Sequence, residues 1–280
     1  MEYTIPNYQF KNENQVLCDL GYQKGDELGS GGQGVVYRVK KDETTLACKV
    51  INLTNLKPQS FQNELQIHLR CNDHPNLIKM VDQFIINNSA YLIMEFADGG
   101  TMNQLNSYCG LFYMHQNRIA HRDLKLDNLL LIKSDKESTG YQVKIADFGL
   151  SVHAYKSRLG YIHTFNFAGT RSYMAPEIIR IRAFNDLVED CCFDVNPFKS
   201  DIWSLGVCVF QLITFKLPFQ SKDDLILLKM QENRRYSFPN ECDASQDCRQ
   251  LINEMLDPSV DSRIDPFGIL HHRWLGEMKI

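Results

Sequence analysis

Absences narrow the reading of this sequence first. It has no block of like charge: 30 Lys and Arg face 34 Asp and Glu, the formal net charge is −4, and the basic residues are scattered. A nucleic-acid footprint needs a clustered basic stripe to neutralise phosphates, so no DNA or RNA partner is expected. Nine cysteines form no C-x-x-C pair and no zinc spacing. Their number is odd and the vicinal Cys191-Cys192 is a poor structural disulfide, so reduced, mostly buried thiols in a reducing compartment are expected. Long apolar runs are missing as well. The longest, Ile202 to Ile213, is too short and too interrupted by polar groups to span a bilayer, so no membrane insertion is expected. Met1 to Leu20 lacks the basic start and apolar run of a signal peptide. An intracellular location follows as the expectation, cytoplasmic with the nucleus also open. The 280 residues, 44% of them hydrophobic, can bury a real core in one large domain or two lobes.

What is present centres on His121-Arg122-Asp123-Leu124-Lys125-Leu126-Asp127-Asn128. Phosphoryl transfer leaves a protein little covalent work, and catalysis comes from positioning the attacking hydroxyl and neutralising charge on the moving group. Asp123, Lys125 and Asn128 are the residue types that task requires. Upstream, Leu28-Gly29-Ser30-Gly31-Gly32-Gln33-Gly34-Val35-Val36 contains G-x-G-x-x-G, a pattern shared by phosphate loops, dinucleotide sites and plain hairpins. The strand-like Thr45 to Leu53 follows it where a dinucleotide fold would have a helix, so a hairpin lid is the better reading. Within that strand, Ala47-Cys48-Lys49-Val50 places a lysine among apolar residues, where it needs a carboxylate or phosphate partner. Phe61, Leu65 and Leu69 recur at helical spacing, which sets Glu64 beside a buried stripe. Downstream, Val143-Lys144-Ile145-Ala146-Asp147-Phe148-Gly149 ends an alternating strand on an aspartate. Magnesium takes a few carboxylate or amide oxygens together with phosphates, which makes Asp147 and Asn128 a plausible ligand pair. Gly169-Thr170-Arg171-Ser172-Tyr173-Met174-Ala175-Pro176-Glu177 comes next.

Taken in this order, from about Gly25 to about Leu275, the motifs resemble the eukaryotic protein kinase family of serine/threonine type. The resemblance implies an α+β, two-lobed protein kinase-like fold: a small mainly β N-lobe (22–96), a hinge (95–100) and a larger mainly α C-lobe (101–276), with a polar lead-in (1–21) and a short tail (277–280). It implies transfer of the ATP γ-phosphoryl group to protein Ser or Thr hydroxyls. On that basis residues Leu28 to Val36 cover the ATP phosphates, and Lys49 contacts the α and β phosphates while paired with Glu64. Met94 is the gatekeeper beside the adenine, the backbone of Glu95 and Ala97 bonds its edge, and Ala47 and Leu130 also count as nucleotide-binding. Asp123 accepts the hydroxyl proton, Lys125 steadies the γ phosphate, and Asn128 and Asp147 hold Mg²⁺. Asp201 braces the catalytic loop, and Arg263 pairs with Glu177 as a structural bond. The Asp-x-Lys order together with Thr170 marks serine/threonine specificity.

Departures from the family pattern set further expectations. Only twenty residues, 101 to 120, lie between Gly100 and His121, where two helices of ~11 and ~20 residues and their connections would need ~35. Leu111 to Ala120 resembles the last turns of the longer helix, so the loss falls before Leu111. Either the lobe is repacked, or the chain is a nucleotide-binding pseudokinase, a scaffold or an incomplete inactive form; intact catalytic residues favour the enzyme. Residues 133–142 read as a lengthened exposed hairpin loop and 181–198 as a second insertion, both tolerable at small entropic cost. Asn166 holds the place of the threonine phosphorylated in many relatives, which leaves Thr164 as the substitute partner for Arg122, or control independent of phosphorylation. Asp127, with Thr101 and Gln211 where basophilic relatives often carry Glu, predicts weak preference for basic substrates. Residues up to about Lys24 are expected to be extended, and His271-His272 to pack within a helix rather than bind metal.

Overall fold

The computed structural model describes residues 5–9, 11–32, 34–54, 56–99, 107–135, 140–157, 160–162, 169–184 and 195–276. The chain forms two units, residues 1–100 with 130–149 and residues 101–129 with 150–280. Thr101, Thr164, Asn166, Cys191 and Cys192 lie outside the described residues, as does Gln33.

The first unit is built on a six-stranded sheet of order β1-β5-β6-β4-β3-β2. Its strands are β1 (Asn7–Tyr8), β2 (Gln23–Gly31), β3 (Gly34–Lys41), β4 (Thr44–Asn52), β5 (Met80–Ile86) and β6 (Ser89–Glu95), and two helices join them, α1 (Glu13–Asp19) and α2 (Pro58–Cys71). All neighbours are antiparallel except β1 with β5. Two-residue connections close β3–β4 and β5–β6, and each holds an Asx residue, Asp42 or Asn87, at φ 52°. Asp and Asn tolerate that left-handed conformation better than other side chains, so the turn chemistry fits the register.

Strand alternation divides the core in two. One face gathers Val39, Leu46, Cys48, Phe84, Tyr91 and Ile93; the other packs Ile51 and Leu92 against Phe61 and Leu65 of α2. Helix α2 begins with Pro58, whose missing N–H costs nothing at that position. The first face corrects the expectation of an extended lead-in. Asn12 caps α1 by accepting from the Gln15 amide, and Val16 and Leu17 are buried in the same cluster as Tyr22 and Phe84. Two adjacent apolar residues with Leu20 make a stripe narrow enough to be hidden by the polar residues around it.

Strands β8 (Leu129–Lys133) and β9 (Tyr141–Ile145) form a hairpin, which the sequence reading assigned to the larger lobe. It belongs instead mainly to the first unit. Ile145 exchanges backbone bonds with it, donating to the Asn76 carbonyl and accepting from the Ile78 amide, both at 2.9 Å. Lys144 adds a 2.8 Å ion pair to Glu95.

The second unit is mainly helical: α3 (Ser107–Gln116), α4 (Pro176–Phe184), α5 (Pro197–Thr214), α6 (Asp224–Glu232), α7 (Gln246–Met255), α8 (Pro266–Leu270) and α9 (Arg273–Gly276). Short strand pairs accompany them, β7 (Ile119–Ala120) with β10 (Val152–His153) and β11 (Tyr155–Ser157) with β12 (Gly160–Ile162). Helix α5 is the hub. Asn196 caps it through bonds to the Phe198 and Lys199 amides, Pro197 starts it, and fully buried Trp203 stacks on Phe219 at 5.6 Å. His271 and His272 lie between α8 and α9 rather than within a helix as expected; His271 Nδ1 lies 2.8 Å from the Phe267 carbonyl and its ring packs on that of Phe267 at 4.1 Å.

Helix α3 shows what becomes of the shortened segment. It is ten residues long, about 15 Å at helical rise, yet Tyr108, Leu111 and Met114 are all buried. Two residues past its end, Arg118 takes a left-handed conformation and turns the chain into β7. Among the described residues no helix is long and apolar enough to cross a membrane.

Candidate active site

In the first unit the sheet aligns the nucleotide-type residues by register. Leu28 to Gly32 and Gly34 to Val36 lie on the β2–β3 hairpin, Val36 sits opposite Lys49, and Ala47 sits opposite Met94. Gly34 makes the hairpin corner at φ +130°, where an added Cβ would stand 2.3 Å from the Val50 carbonyl oxygen. Beyond the corner, a Cβ built on Gly29, Gly31 or Gly32 meets nothing within 4 Å, so the backbone there is open to close approach.

Lys49 is buried, and its Nζ lies 2.7 Å from Glu64 Oε1 and 2.8 Å from Asp147 Oδ1. Burial by itself pulls its ammonium toward a lower pKa, but the carboxylates of Glu64 and Asp147 outweigh that and hold it above the usual lysine value. Asp147 adopts φ 66°, and Phe148 beside it is buried against the His68 ring at 4.9 Å. In the backbone of Glu95, the N–H is committed to the Lys79 carbonyl at 3.0 Å. Ala97 and Leu130 are half-buried.

In the second unit, Asp123 is buried and ringed by donors. Its Oδ2 accepts from Lys125 Nζ at 2.9 Å; its Oδ1 accepts from both the amide and the hydroxyl of Thr170 at 2.8 Å. Lys125 also reaches the Thr170 hydroxyl at 3.1 Å, and Asn128 Nδ2 donates to the Asp123 carbonyl at 2.8 Å. The bonds fix the carboxylate's rotamer while a cation stands beside it. A cleft lined by Asp123, Arg122, Thr170, Tyr173 and Met174, among others, opens alongside.

Arg122 holds φ 71°, a conformation that costs of order 1 to 3 kcal/mol when forced on such a residue. Asp201 offsets it: its two oxygens accept from the His121 and Arg122 amides, each at 2.8 Å. The same carboxylate takes a third bond at 2.9 Å from His115 Nε2, which must carry the proton because a carboxylate can only accept. His115 is the positioning residue that sequence reasoning passed over. Leu111, Met114 and His115 share one face of α3, and that spacing was the signal available. Glu177 and Arg263 are joined as expected, by bonds of 2.8 and 2.9 Å, with Ser200 donating to Glu177 as well.

A family model described as "Protein kinase domain" matches residues 22–275. The chain is 29% identical to an Aurora kinase of Dictyostelium discoideum over 92% of its own length and 66% of the relative's. It is 29% identical to the cell cycle serine/threonine-protein kinase CDC5/MSD2 of Saccharomyces cerevisiae, over 90% of this chain and 36% of the relative. It is also 30% identical to myosin light chain kinase family member 4 of Homo sapiens, over 92% of this chain and 67% of the relative. The chain thus spans less than two thirds of the slime-mould and yeast proteins. With the match covering nearly all of the described chain and the buried Lys49–Glu64 and Glu177–Arg263 pairs in place, the chain belongs to the protein kinase domain family.

Proposed function

We propose that this chain is a serine/threonine protein kinase, which transfers the γ-phosphoryl group of ATP to Ser or Thr hydroxyls of a protein substrate. The observation that carries the reading is the setting of Asp123: a buried carboxylate fixed by Thr170, with the Lys125 ammonium at 2.9 Å and the residue's own carbonyl held by Asn128. A carboxylate so held takes up a hydroxyl proton in the transition state, a contribution on the order of 10² to 10⁴ in rate. The neighbouring ammonium supplies positive charge where phosphoryl oxygens gather it.

The donor set suits ATP and Mg²⁺. The open backbone at Gly29, Gly31 and Gly32 is the type of surface that lies over phosphates. Lys49, held charged by Glu64 and Asp147, is suited to the α and β phosphates. The adenine edge falls to the Glu95 carbonyl and the Ala97 amide, beside Met94, Ala47 and Leu130. Asp147 and Asn128 are the proposed magnesium ligands, and the ion neutralises charge on the transferring phosphate when bound. The proposed acceptor is Ser or Thr, the specificity that the yeast relative carries in its name. An intracellular, cytoplasmic location is proposed on the odd number and the spacing of the nine cysteines. The complete set of catalytic residues, together with a short α3 that is still buried and bonded to Asp201, disfavours the scaffold reading.

The test is a radiolabel assay with ATP, Mg²⁺ and a generic Ser/Thr protein acceptor, on wild type beside Asp123→Asn. Transfer by wild type that disappears in the variant, with nucleotide binding retained, is expected. Transfer surviving in Asp123→Asn would refute the role given to that residue, and none in wild type would sink the reading.

A further inference from the structure

Arg171 follows Thr170 directly, and Thr170 is bonded through amide and hydroxyl to Asp123. The Arg171 guanidinium turns to the start of α6, where its Nε donates to Asp224 Oδ1 and its Nη1 to the carbonyl of Ser221, just ahead of the helix. The second Asp224 oxygen accepts from Arg182 Nε of α4 at 3.0 Å. One carboxylate thereby separates two guanidiniums that would otherwise repel. At the other end of α6, fully buried Gln231 donates Nε2 to the Met174 carbonyl at 2.9 Å.

Residues 171–173 form only a single 3-10 turn, which has few bonds of its own to resist displacement. Its position therefore depends on what holds it from outside. Thr170 is anchored to Asp123, Tyr173 to α5 through Ser204 and Gln211, and Arg171 and Met174 to α6 and its approach, the helix being capped by Asp223 through bonds of 2.8 and 3.0 Å. An acceptor chain whose hydroxyl reaches Asp123 must run past this segment, because neighbouring residues of an extended chain are only ~3.3 Å apart.

We propose that α6 acts as a clamp on residues 170–174, with Asp224 and Gln231 as positioning residues that set affinity for the protein acceptor and leave nucleotide handling alone. The proposal deepens the kinase reading and rests on it. A clamp on the acceptor side separates two quantities that general destabilisation changes together: the KM for peptide and the KM for ATP.

The experiment measures kcat and both KM values for wild type, Asp224→Asn, Asp224→Glu and Gln231→Ala, with a serine-containing peptide. Asp224→Asn should raise the peptide KM on the order of tenfold, the factor expected from weakening a charge-assisted bond. The ATP KM should stay within about twofold, and Asp224→Glu should recover most of the loss because it keeps the charge. An unchanged peptide KM, or equal rises in both KM values, overturns the clamp. Should Asp224→Asn fail to fold, Gln231→Ala decides by the same comparison. If wild type transfers no phosphate at all, the kinase reading fails separately. The clamp is then read from amide hydrogen exchange: faster exchange across residues 170–174 in Gln231→Ala supports it, and unchanged exchange there overturns it.

Discussion

A Cβ added to Gly169 would stand 2.6 Å from the carbonyl oxygen of Arg122, and Gly169 itself has φ +114°. The two conditions act together. The backbone conformation is one that L side chains avoid, and the neighbouring atom is main chain in the catalytic loop, which cannot swing aside as a side-chain end does. Gly169→Ala is expected to destabilise the protein by ~1 to 3 kcal/mol and to cut phosphate transfer by displacing Asp123 and Thr170, while nucleotide binding persists. Denaturant melts and transfer assays check this; wild-type values in both would remove the steric argument.

The pair Glu177 and Arg263 is bidentate, with Arg263 fully buried and its guanidinium 5.1 Å from the Trp203 ring. Arg263→Met strands the Glu177 carboxylate and should cost ~3 to 5 kcal/mol. The double variant Glu177→Met/Arg263→Met should recover part of that, since no charge is left unpaired. A double-mutant cycle by chemical denaturation measures the coupling, and strict additivity would show that the pair contributes nothing of its own.

His68 gives the first unit a pH dependence. Burial, with a smaller contribution from Lys49, lowers its pKa from 6.5 to about 4, against the opposing effects of its bond to the Ile78 carbonyl and of Asp147. The unfolded chain therefore binds a proton that the folded chain refuses. The stability it contributes is fully present above pH 6.5 and is lost as pH falls through about 4, on the order of 3 kcal/mol in all. Melts between pH 7 and pH 4 should show a shallower loss in His68→Leu than in wild type. Parallel curves would assign the acid sensitivity elsewhere.

Leu17 tests whether the segment before Tyr22 is part of the fold. Its side chain is buried in the sheet cluster, so Leu17→Ala should cost ~2 to 5 kcal/mol. A merely trailing segment would give no more than ~0.5 kcal/mol. Thermal or chemical melts distinguish the two.

Asp127 is exposed, and Gln211, a neutral residue, is already engaged by the Tyr173 hydroxyl at 2.6 Å. A single exposed acid screened by solvent gives modest discrimination. Asp127→Asn is expected to weaken use of a peptide with arginine before the acceptor by a few-fold at most, the upper bound set by an exposed pair worth ~1 kcal/mol or less. Comparing arginine-bearing and arginine-free peptides measures it, and no change in their ratio would discard the assignment.

Much of the fold and site was legible because its signals are local. Glu64 stood beside a Phe61-Leu65-Leu69 stripe, Lys49 lay in an apolar strand, and Asp147 ended another; each needs only a few neighbours in sequence to be read. The strands Thr44–Asn52 and Ser89–Glu95 follow from alternation and composition. Helix α1 was not legible, since Val16 and Leu17 become meaningful only when Phe84 and Tyr91 arrive from seventy residues away to cover them. The β8–β9 hairpin was placed by chain order, whereas two backbone bonds from Ile145 place it in space.

The sequence by itself determined which groups lie together: Asp123, Lys125 and Asn128 fall within six residues, so one loop carries carboxylate, cation and amide whatever surrounds it. Only the tertiary structure decided what holds that loop still. Asp201 reaches the His121 and Arg122 amides from 80 and 79 residues away, His115 joins it from a helix of ten residues, and α6 secures Arg171 from 53 residues away. Such bonds join groups far apart in sequence, and any polar residue of suitable reach can make them. Their partners are therefore chosen by packing, which one-dimensional spacing does not encode.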